Sequence, residues 1–189
     1  LSAFHARQIG AFEEETLRSD LTRIWGEVRD SSEDKRKLIE EWSAKLTPDR
    51  IAAADLSRGR QLYAGICGAC HVLYGEGGKI GPDLTGSNRN DLGYLLENIL
   101  DPGAVVSADY RMSLITHEDG RILTGVLAEE NDRTLTLRQM TGEIVLEKSG
   151  IAKRDVMPVS MMPEGLLLAF DEEQVIDLIA YLQNPVQVE

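Results

Sequence analysis

The pentapeptide Cys67-Gly68-Ala69-Cys70-His71 contains both cysteines of the 189-residue chain and decides which fold is expected. Because two residues separate the cysteines, one helical turn presents both thiols together, and a histidine follows directly. C-x-x-C-H is the attachment signature of c-type haem. The thiols bond to the two vinyl groups on one edge of the porphyrin, and the histidine lies beneath the iron. The motif therefore predicts one covalent haem held by Cys67, Cys70 and His71.

Three other uses of a C-x-x-C pair are disfavoured by the surrounding sequence. A redox-active pair needs a preceding strand and a βαβ pattern, whereas here a helix-like segment (56–66) precedes and a Gly-rich loop (75–86) follows. A zinc site needs about four ligands, and the chain offers only His5 and His117 besides His71, neither at ligand spacing. A disulfide across so short a ring would be strained, and it would leave the histidine without a role.

The second axial ligand of the iron has to come from elsewhere in the chain. A methionine thioether is a soft ligand that suits haem iron and raises its reduction potential. Three of the five methionines cluster in a predicted loop, 157–163, whereas Met112 and Met140 are better read as core filler. Met162 is favoured because Pro163 directly follows it and stiffens the loop. The alternatives left open are Met161, Met157 and, more weakly, His117, which would give bis-histidine ligation.

Hydrophobic periodicity divides the remaining chain into helical and β-patterned parts. Residues 1–55 carry apolar side chains at spacings near three and four, typical of amphipathic helices. Residues 108–152 alternate with period two around a turn signal at Glu118-Asp119-Gly120, which predicts about four strands. Residues 153–189 return to helix. The sequence therefore predicts a mainly α protein with a small antiparallel β insertion.

Several helix ends carry capping signals. Ser31 or Ser32 is expected to cap a helix that reaches Leu46, with acidic residues in its first turn. A second helix is expected from Asp91 to Leu100. The last one opens at Asp171-Glu172-Glu173, where acidic side chains suit the helix dipole, and ends at Asn184-Pro185.

The segments on both sides of the β-patterned part resemble a class I cytochrome c. The resemblance implies a class I cytochrome c fold with an N-terminal helical extension (1–55) and a cytochrome c domain (56–189) that is interrupted by the β insertion (about 108–152). Four stretches besides the haem motif carry it: Gly59-Arg60-Gln61-Leu62-Tyr63, Gly81-Pro82-Asp83-Leu84, Met162-Pro163 and Asp177-Leu178-Ile179-Ala180-Tyr181-Leu182.

A narrower resemblance covers about residues 56–184. The chain is similar to the haem-binding domains of planctomycete and verrucomicrobial type, in which the haem motif comes first, a β insertion follows and a methionine-containing stretch comes after the insertion. The matching stretches are Gly-Pro-Asp-Leu-Thr (81–85), Ile99-Leu100-Asp101-Pro102 and Ser160-Met161-Met162-Pro163-Glu164-Gly165-Leu166. In that family the domain often closes a larger protein, behind a dehydrogenase-like propeller or helical repeats.

The resemblance also implies roles for single residues. His71 would be the proximal ligand and Met162 the distal one. The Pro82 carbonyl would accept a hydrogen bond from Nδ1–H of His71, so that Nε2 faces the iron. Two tyrosines, Tyr63 and Tyr181, would line the helix crossing near the haem or simply pack there. For Arg89, a solvated position at the surface is favoured over pairing with a haem propionate.

Iron held by histidine and methionine leaves no open position for a substrate, which favours single-electron transfer over catalysis. The chain is expected to be an electron carrier rather than an enzyme, and to accept electrons within a dehydrogenase system. Its partners would be a dehydrogenase donor and a cytochrome or oxidase acceptor, in the periplasm or another extracytoplasmic compartment, where c-type haem is attached. The alternative is a haem-based enzyme or a gas or redox sensor with an open or labile distal site.

Composition narrows the partners further. The net charge of −12 argues against nucleic acid, since phosphates would be repelled. No stretch approaches the roughly 20 apolar residues that span a bilayer. Hydrophobic residues at 42% and charged residues at 28% are typical of a globular protein.

Overall fold

A computed structural model describes residues 3–188. The α-helices of this part are α1 (Ala3–Gly10), α2 (Glu15–Ile24), α3 (Glu33–Lys45), α4 (Pro48–Ala52), α5 (Leu56–Ile66), α6 (Leu92–Leu100) and α7 (Glu172–Gln183). The strands are β1 (Gly26–Val28), β2 (Val72–Leu73), β3 (Glu76–Gly77), β4 (Val105–Ser107), β5 (Arg111–His117), β6 (Ile122–Glu130), β7 (Thr134–Gln139), β8 (Gly142–Glu147) and β9 (Ile151–Ser160). Short 3₁₀ helices cover Ala108–Tyr110, Lys148–Gly150 and Leu166–Ala169.

The expected fold class, a mainly α class I cytochrome c fold with a small β insertion, is wrong. Helices, with the 3₁₀ helices included, account for 42% of the described residues and strands for 25%, and five of the strands form one antiparallel sheet. The main cause is β9, because most of this strand falls in the part that was read as loop and helix. Its pairing with β5 contains two register shifts, so its residues lack the clean period-two alternation by which a strand is recognised.

The largest core lies among the helices and is built on a crossing of α5 with α7. Gly59 allows this crossing, because a Cβ at that position would collide with the Asp177 carbonyl. Asp177 is itself buried in α7, where its carboxylate accepts a hydrogen bond from the backbone N–H of Asp55 at 2.9 Å and pairs with Arg58. The crossing therefore joins close backbone packing to a buried charge that is fully partnered.

The five-stranded sheet has the order β8-β7-β6-β5-β9 and a separate small core. The turn predicted at residues 118–120 is confirmed, since it joins β5 to β6. The side chains that fill the core are Ile115, Leu135, Leu137 and Leu146. On β7 the two buried leucines, Leu135 and Leu137, are two positions apart, as expected for a sheet with one buried face.

The N-terminal segment is bound to the rest of the chain at several points. Strand β1, which the sequence did not predict, pairs with β4. Arg29 donates two hydrogen bonds, of 2.7 and 3.0 Å, to the fully buried carboxylate of Asp101 just after α6. Arg7 pairs with Glu97 at 3.0 Å. The predicted domain boundaries stay a prediction, while the observed large sheet extends over 111–160.

The N-cap predicted at Ser31 or Ser32 is confirmed at Ser32, and two further helices that the sequence located also begin with a capping residue. The Ser32 hydroxyl accepts from the Lys35 N–H ahead of α3, and the Asp91 carboxylate accepts from the Tyr94 N–H ahead of α6. A full capping box of Asp171 and Gln174 opens α7, which ends at Asn184. No helix within residues 3–188 is long and apolar enough to cross a membrane.

Candidate haem-attachment site

The Cys67–His71 motif continues α5 as one further turn. Cys67 is the C-cap of that helix and has helical backbone angles. Its carbonyl accepts hydrogen bonds from the N–H groups of Cys70 at 3.1 Å and His71 at 2.9 Å. Both thiols are free, half-buried and placed on a single turn. The two cysteines and the histidine therefore share one helical turn that extends α5.

The chain after the motif folds back over it. Gly78 donates from its backbone N–H to the Gly68 carbonyl at 2.8 Å, and Gly81 donates to the Cys70 carbonyl at 2.8 Å. This path brings the Pro82 carbonyl to the Nδ1 edge of the His71 imidazole. Nδ1 of His71 lies 2.9 Å from the Pro82 carbonyl oxygen, so the structure contains the hydrogen bond that the resemblance implies.

This contact decides which nitrogen of His71 is available. A carbonyl can only accept, so Nδ1 carries the proton and Nε2 keeps its lone pair. Within residues 3–188, no hydrogen bond is made to Nε2. Burial lowers the pKa of His71, against the opposing effect of the Pro82 carbonyl. The ring is thus held neutral in the tautomer that a metal ligand needs.

Gly81 makes room for this ring. A Cβ at Gly81 would lie 2.6 Å from Cε1 and 2.8 Å from Nδ1 of His71. Both distances are far below van der Waals contact, so any other residue would push the imidazole off its hydrogen bond. Glycine before Pro82 is therefore a steric requirement of the observed His71 position.

The electrostatics of the cysteines differ from those of a redox pair. Burial and the neighbouring Cys70 raise the pKa of Cys67 to about 11, and burial raises the pKa of Cys70. Redox-active pairs have lowered values, because the thiolate is the attacking species. Within the described residues, no group of three or more histidine, cysteine, aspartate or glutamate side chains is arranged to hold a metal ion. A C-x-x-C pair of two neutral thiols fits covalent attachment better than thiol exchange.

The methionines that the sequence singled out are separated by the structure. Met157 is half-buried in β9, so the predicted loop over 157–163 is wrong in its first part. Met161 and Met162 follow that strand, and the Ser160 hydroxyl accepts from the Met162 N–H at 3.1 Å. Within the described chain, Met162 is the methionine that packs against the main core cluster, as Cys67 does. The other methionines lie outside that cluster.

The remaining candidate ligands lie in the large sheet. Met112 is half-buried in β5, whereas Met140, expected as core filler, is 69% exposed in the turn between β7 and β8. Nδ1 of His117 lies 3.0 Å from the Asp119 carboxylate in the β5–β6 turn. The opposite edge of that ring packs on Gly150. His117 is therefore engaged in a turn of the sheet on both sides of its ring.

An aromatic cluster lies on the other side of the motif backbone. The Tyr63 hydroxyl donates to the His71 carbonyl at 2.7 Å, and burial raises the pKa of Tyr63 far above its usual value. The Tyr181 ring lies 5.6 Å from that of Tyr63 and 6.3 Å from that of Tyr74. Tyr63 thus holds the motif backbone as well as the helix crossing.

Arg89 was expected at the surface and is instead buried. Its Nη1 donates to the Leu182 carbonyl at 2.6 Å and to the Asn184 carbonyl, and its guanidinium lies 5.0 Å from the Tyr74 ring centre. Carbonyls at a helix C-terminus lack partners within the helix. Arg89 therefore caps the carbonyl groups at the C-terminal end of α7, and the expectation of a solvated surface position is wrong.

Two contacts of the site had no signal in the sequence. Arg138 in β7 donates to the Lys79 carbonyl at 3.0 Å, which joins the sheet to the loop that carries Pro82. Lys35 in α3 pairs with Glu164, two residues after Met162, at 2.7 Å. Both join segments that are far apart in the chain, and neither follows from a periodicity or a motif.

The residues present fit a c-type haem. The donor set consists of two neutral thiols on one turn, a neutral imidazole with Nε2 available, and a thioether in a loop against the same core. Comparison of the chain with protein-family models and with curated proteins finds no match.

Proposed function

We propose that the chain binds one haem c and transfers single electrons. Cys67 and Cys70 would form the thioether bonds, His71 would be the proximal ligand and Met162 the distal ligand. The observation that carries the proposal is the C-x-x-C-H turn with Nδ1 of His71 held by the Pro82 carbonyl at 2.9 Å. That contact orients Nε2 for iron, and it has no evident use in a thiol-exchange site.

Covalent attachment of the haem would need no reactant besides the two thiols and the two vinyl groups. Each thiol adds across one vinyl double bond: the sulfur bonds to one carbon, the thiol hydrogen goes to the other, and nothing leaves. The spacing of Cys67 and Cys70 on one turn lets both additions occur on one edge of the porphyrin. The chain contributes position rather than activation, in accord with the raised pKa values of both thiols.

Haem iron with two protein ligands supplies a one-electron couple whose coordination changes little between its oxidation states. The protein's contribution is to keep both ligands in place. The Pro82 carbonyl and Gly81 hold the His71 ring, and Ser160 holds the backbone of Met162. Methionine as the second ligand raises the reduction potential. These residues suit an electron carrier and leave no substrate position at the iron.

The partners and the compartment follow from the same proposal. We infer that the chain belongs to the haem-binding domains of planctomycete and verrucomicrobial type, in which a β insertion separates the haem motif from a loop that contains the methionine ligand. By that likeness, the donor would be a dehydrogenase and the acceptor a cytochrome or oxidase. An extracytoplasmic location, such as the periplasm, follows from where c-type haem is attached.

The test is an optical spectrum of protein made in a host that matures c-type cytochromes. The oxidised and dithionite-reduced forms are measured first, and carbon monoxide is added last. Sharp low-spin bands in the reduced form, which carbon monoxide changes only slowly, are expected. Ready binding of carbon monoxide would instead favour the haem-based enzyme or sensor with an open distal site.

The covalent bond is tested separately on a denaturing gel stained for haem. Wild-type chain should retain its haem, and the Cys67→Ser, Cys70→Ser double variant should carry none. Haem that is lost from the wild-type chain under denaturing conditions would refute attachment through these two cysteines.

A further inference from the structure

The distal candidate Met162 lies in a short connection that we call the methionine loop, residues 160–165. Its first residue, Ser160, ends β9 and is paired with Arg111 of β5. The Ser160 hydroxyl accepts from the Met162 N–H at 3.1 Å. The loop is thus fixed on its N-terminal side by the large sheet.

The other side of the loop is fixed by the N-terminal segment. Nζ of Lys35 lies 2.7 Å from the Glu164 carboxylate, although the two residues are 129 positions apart. The same Nζ donates to the Leu100 carbonyl at 2.7 Å, at the end of α6. Lys35 therefore connects the methionine loop to the frame of the protein.

The helix that carries Lys35 is itself well anchored. Helix α3 packs against α6, and its apolar face contacts the main core cluster. Its side chains in that contact are Leu38, Ile39 and Trp42. Lys35 is only 25% exposed, whereas its neighbour Lys37 is 60% exposed and forms a local pair with Glu33. Of these two lysines on α3, Lys35 reaches the loop and Lys37 does not.

We propose that Lys35 is a positioning residue for Met162: it holds Glu164 so that the thioether stays at the iron. The inference rests on the proposed function. Pairing at Glu164 and the Ser160 hydroxyl restrain the two sides of the loop, with Met162 between them. Restraint lowers the conformational entropy that ligation would otherwise cost. The N-terminal segment thereby takes part in the ligation of a haem that is attached elsewhere in the chain.

The test uses the full chain with its covalent haem and compares three single variants. Lys35→Met removes the charge and keeps most of the stem, and Glu164→Gln removes the pair but leaves the bond from Lys35 to Leu100. Lys37→Met is the matched control on the same helix. The readouts are the rate of carbon monoxide binding to the reduced protein and the sulfur-to-iron charge-transfer band of the oxidised protein.

Both loop-releasing variants should bind carbon monoxide about three to five times faster than wild type, which corresponds to the loss of one partly exposed ion pair. The charge-transfer band should weaken in both, and neither change should occur in the Lys37 control. High salt should reduce the difference, since it screens the pair. Lys35→Arg, which keeps donors for both Glu164 and the Leu100 carbonyl, should bind carbon monoxide at close to the wild-type rate.

The outcomes separate the two proposals. Wild-type protein without covalent haem, or with a distal site open to carbon monoxide, would refute the proposed function. If wild type is six-coordinate and both loop-releasing variants match Lys37→Met, the role of Lys35 is refuted and the proposed function stands. If a variant is less stable, its spectrum is measured below its unfolding temperature. Glu164→Gln leaves α3 unaltered, so this variant tests the ion pair without a change in that helix.

Discussion

Gly81→Ala should destabilise the protein by displacing the ring of His71. The new Cβ would lie 2.6 Å from Cε1 of His71, so the ring has to move by several tenths of an ångström. Overpacking of this kind costs about 1–3 kcal/mol, and the lost hydrogen bond to the Pro82 carbonyl adds about 1 kcal/mol. We expect the free energy of unfolding to fall by about 2–4 kcal/mol in total.

Gly86→Ala is the matched control. It lies in the same loop, and a Cβ there would meet nothing within 4 Å. The assay is urea unfolding of the haem-loaded variants, followed by circular dichroism, with the low-spin spectrum measured alongside. In a chain of this size, a loss of 2 kcal/mol lowers the melting temperature by about 4–8 °C. Equal stability and equal spectra for the two variants would show that the His71 ring does not lie against Gly81.

Two further changes test other parts of the structure. Met162→Ala should keep the covalent haem but lose the low-spin six-coordinate spectrum, whereas Met161→Ala should keep both; the reverse result would assign the ligand to Met161. Arg29→Met should lower the free energy of unfolding by about 2–3 kcal/mol, because it leaves the buried Asp101 carboxylate without its charged partner. Arg23→Met removes an exposed pair with Asp20 and serves as the control. Urea midpoints that coincide for the two arginine variants would contradict this.

The role of the large sheet becomes clearer from the contacts at its margins. The inner strand β7 contacts the loop that carries Pro82 through Arg138, and the edge strand β9 continues through Ser160 into the methionine loop. The sheet is therefore connected to the loops on which both axial candidates depend. The sheet therefore supports both loops of the candidate site.

The local features of the chain were determined by the sequence. The cap at Ser32, the helix starts near Asp91 and Asp171 and the turn at residues 118–120 were predicted and are present. The C-x-x-C-H turn belongs to the same group. Each depends on backbone and side-chain groups within a few positions of one another, so the pattern of residues is enough to specify it.

Tertiary structure alone decided the rest. The fold class was missed because β9 becomes a strand through its pairing with β5, across bulges that hide its period. Arg89 is buried because the end of α7 supplies carbonyls for it, and Lys35 meets Glu164 because α3 packs beside α6. These contacts join residues far apart in the chain, and their partners exist only once the core has formed. Caps and turns can be predicted from neighbouring residues, whereas strand pairing and contacts between distant residues depend on the packing of the whole molecule.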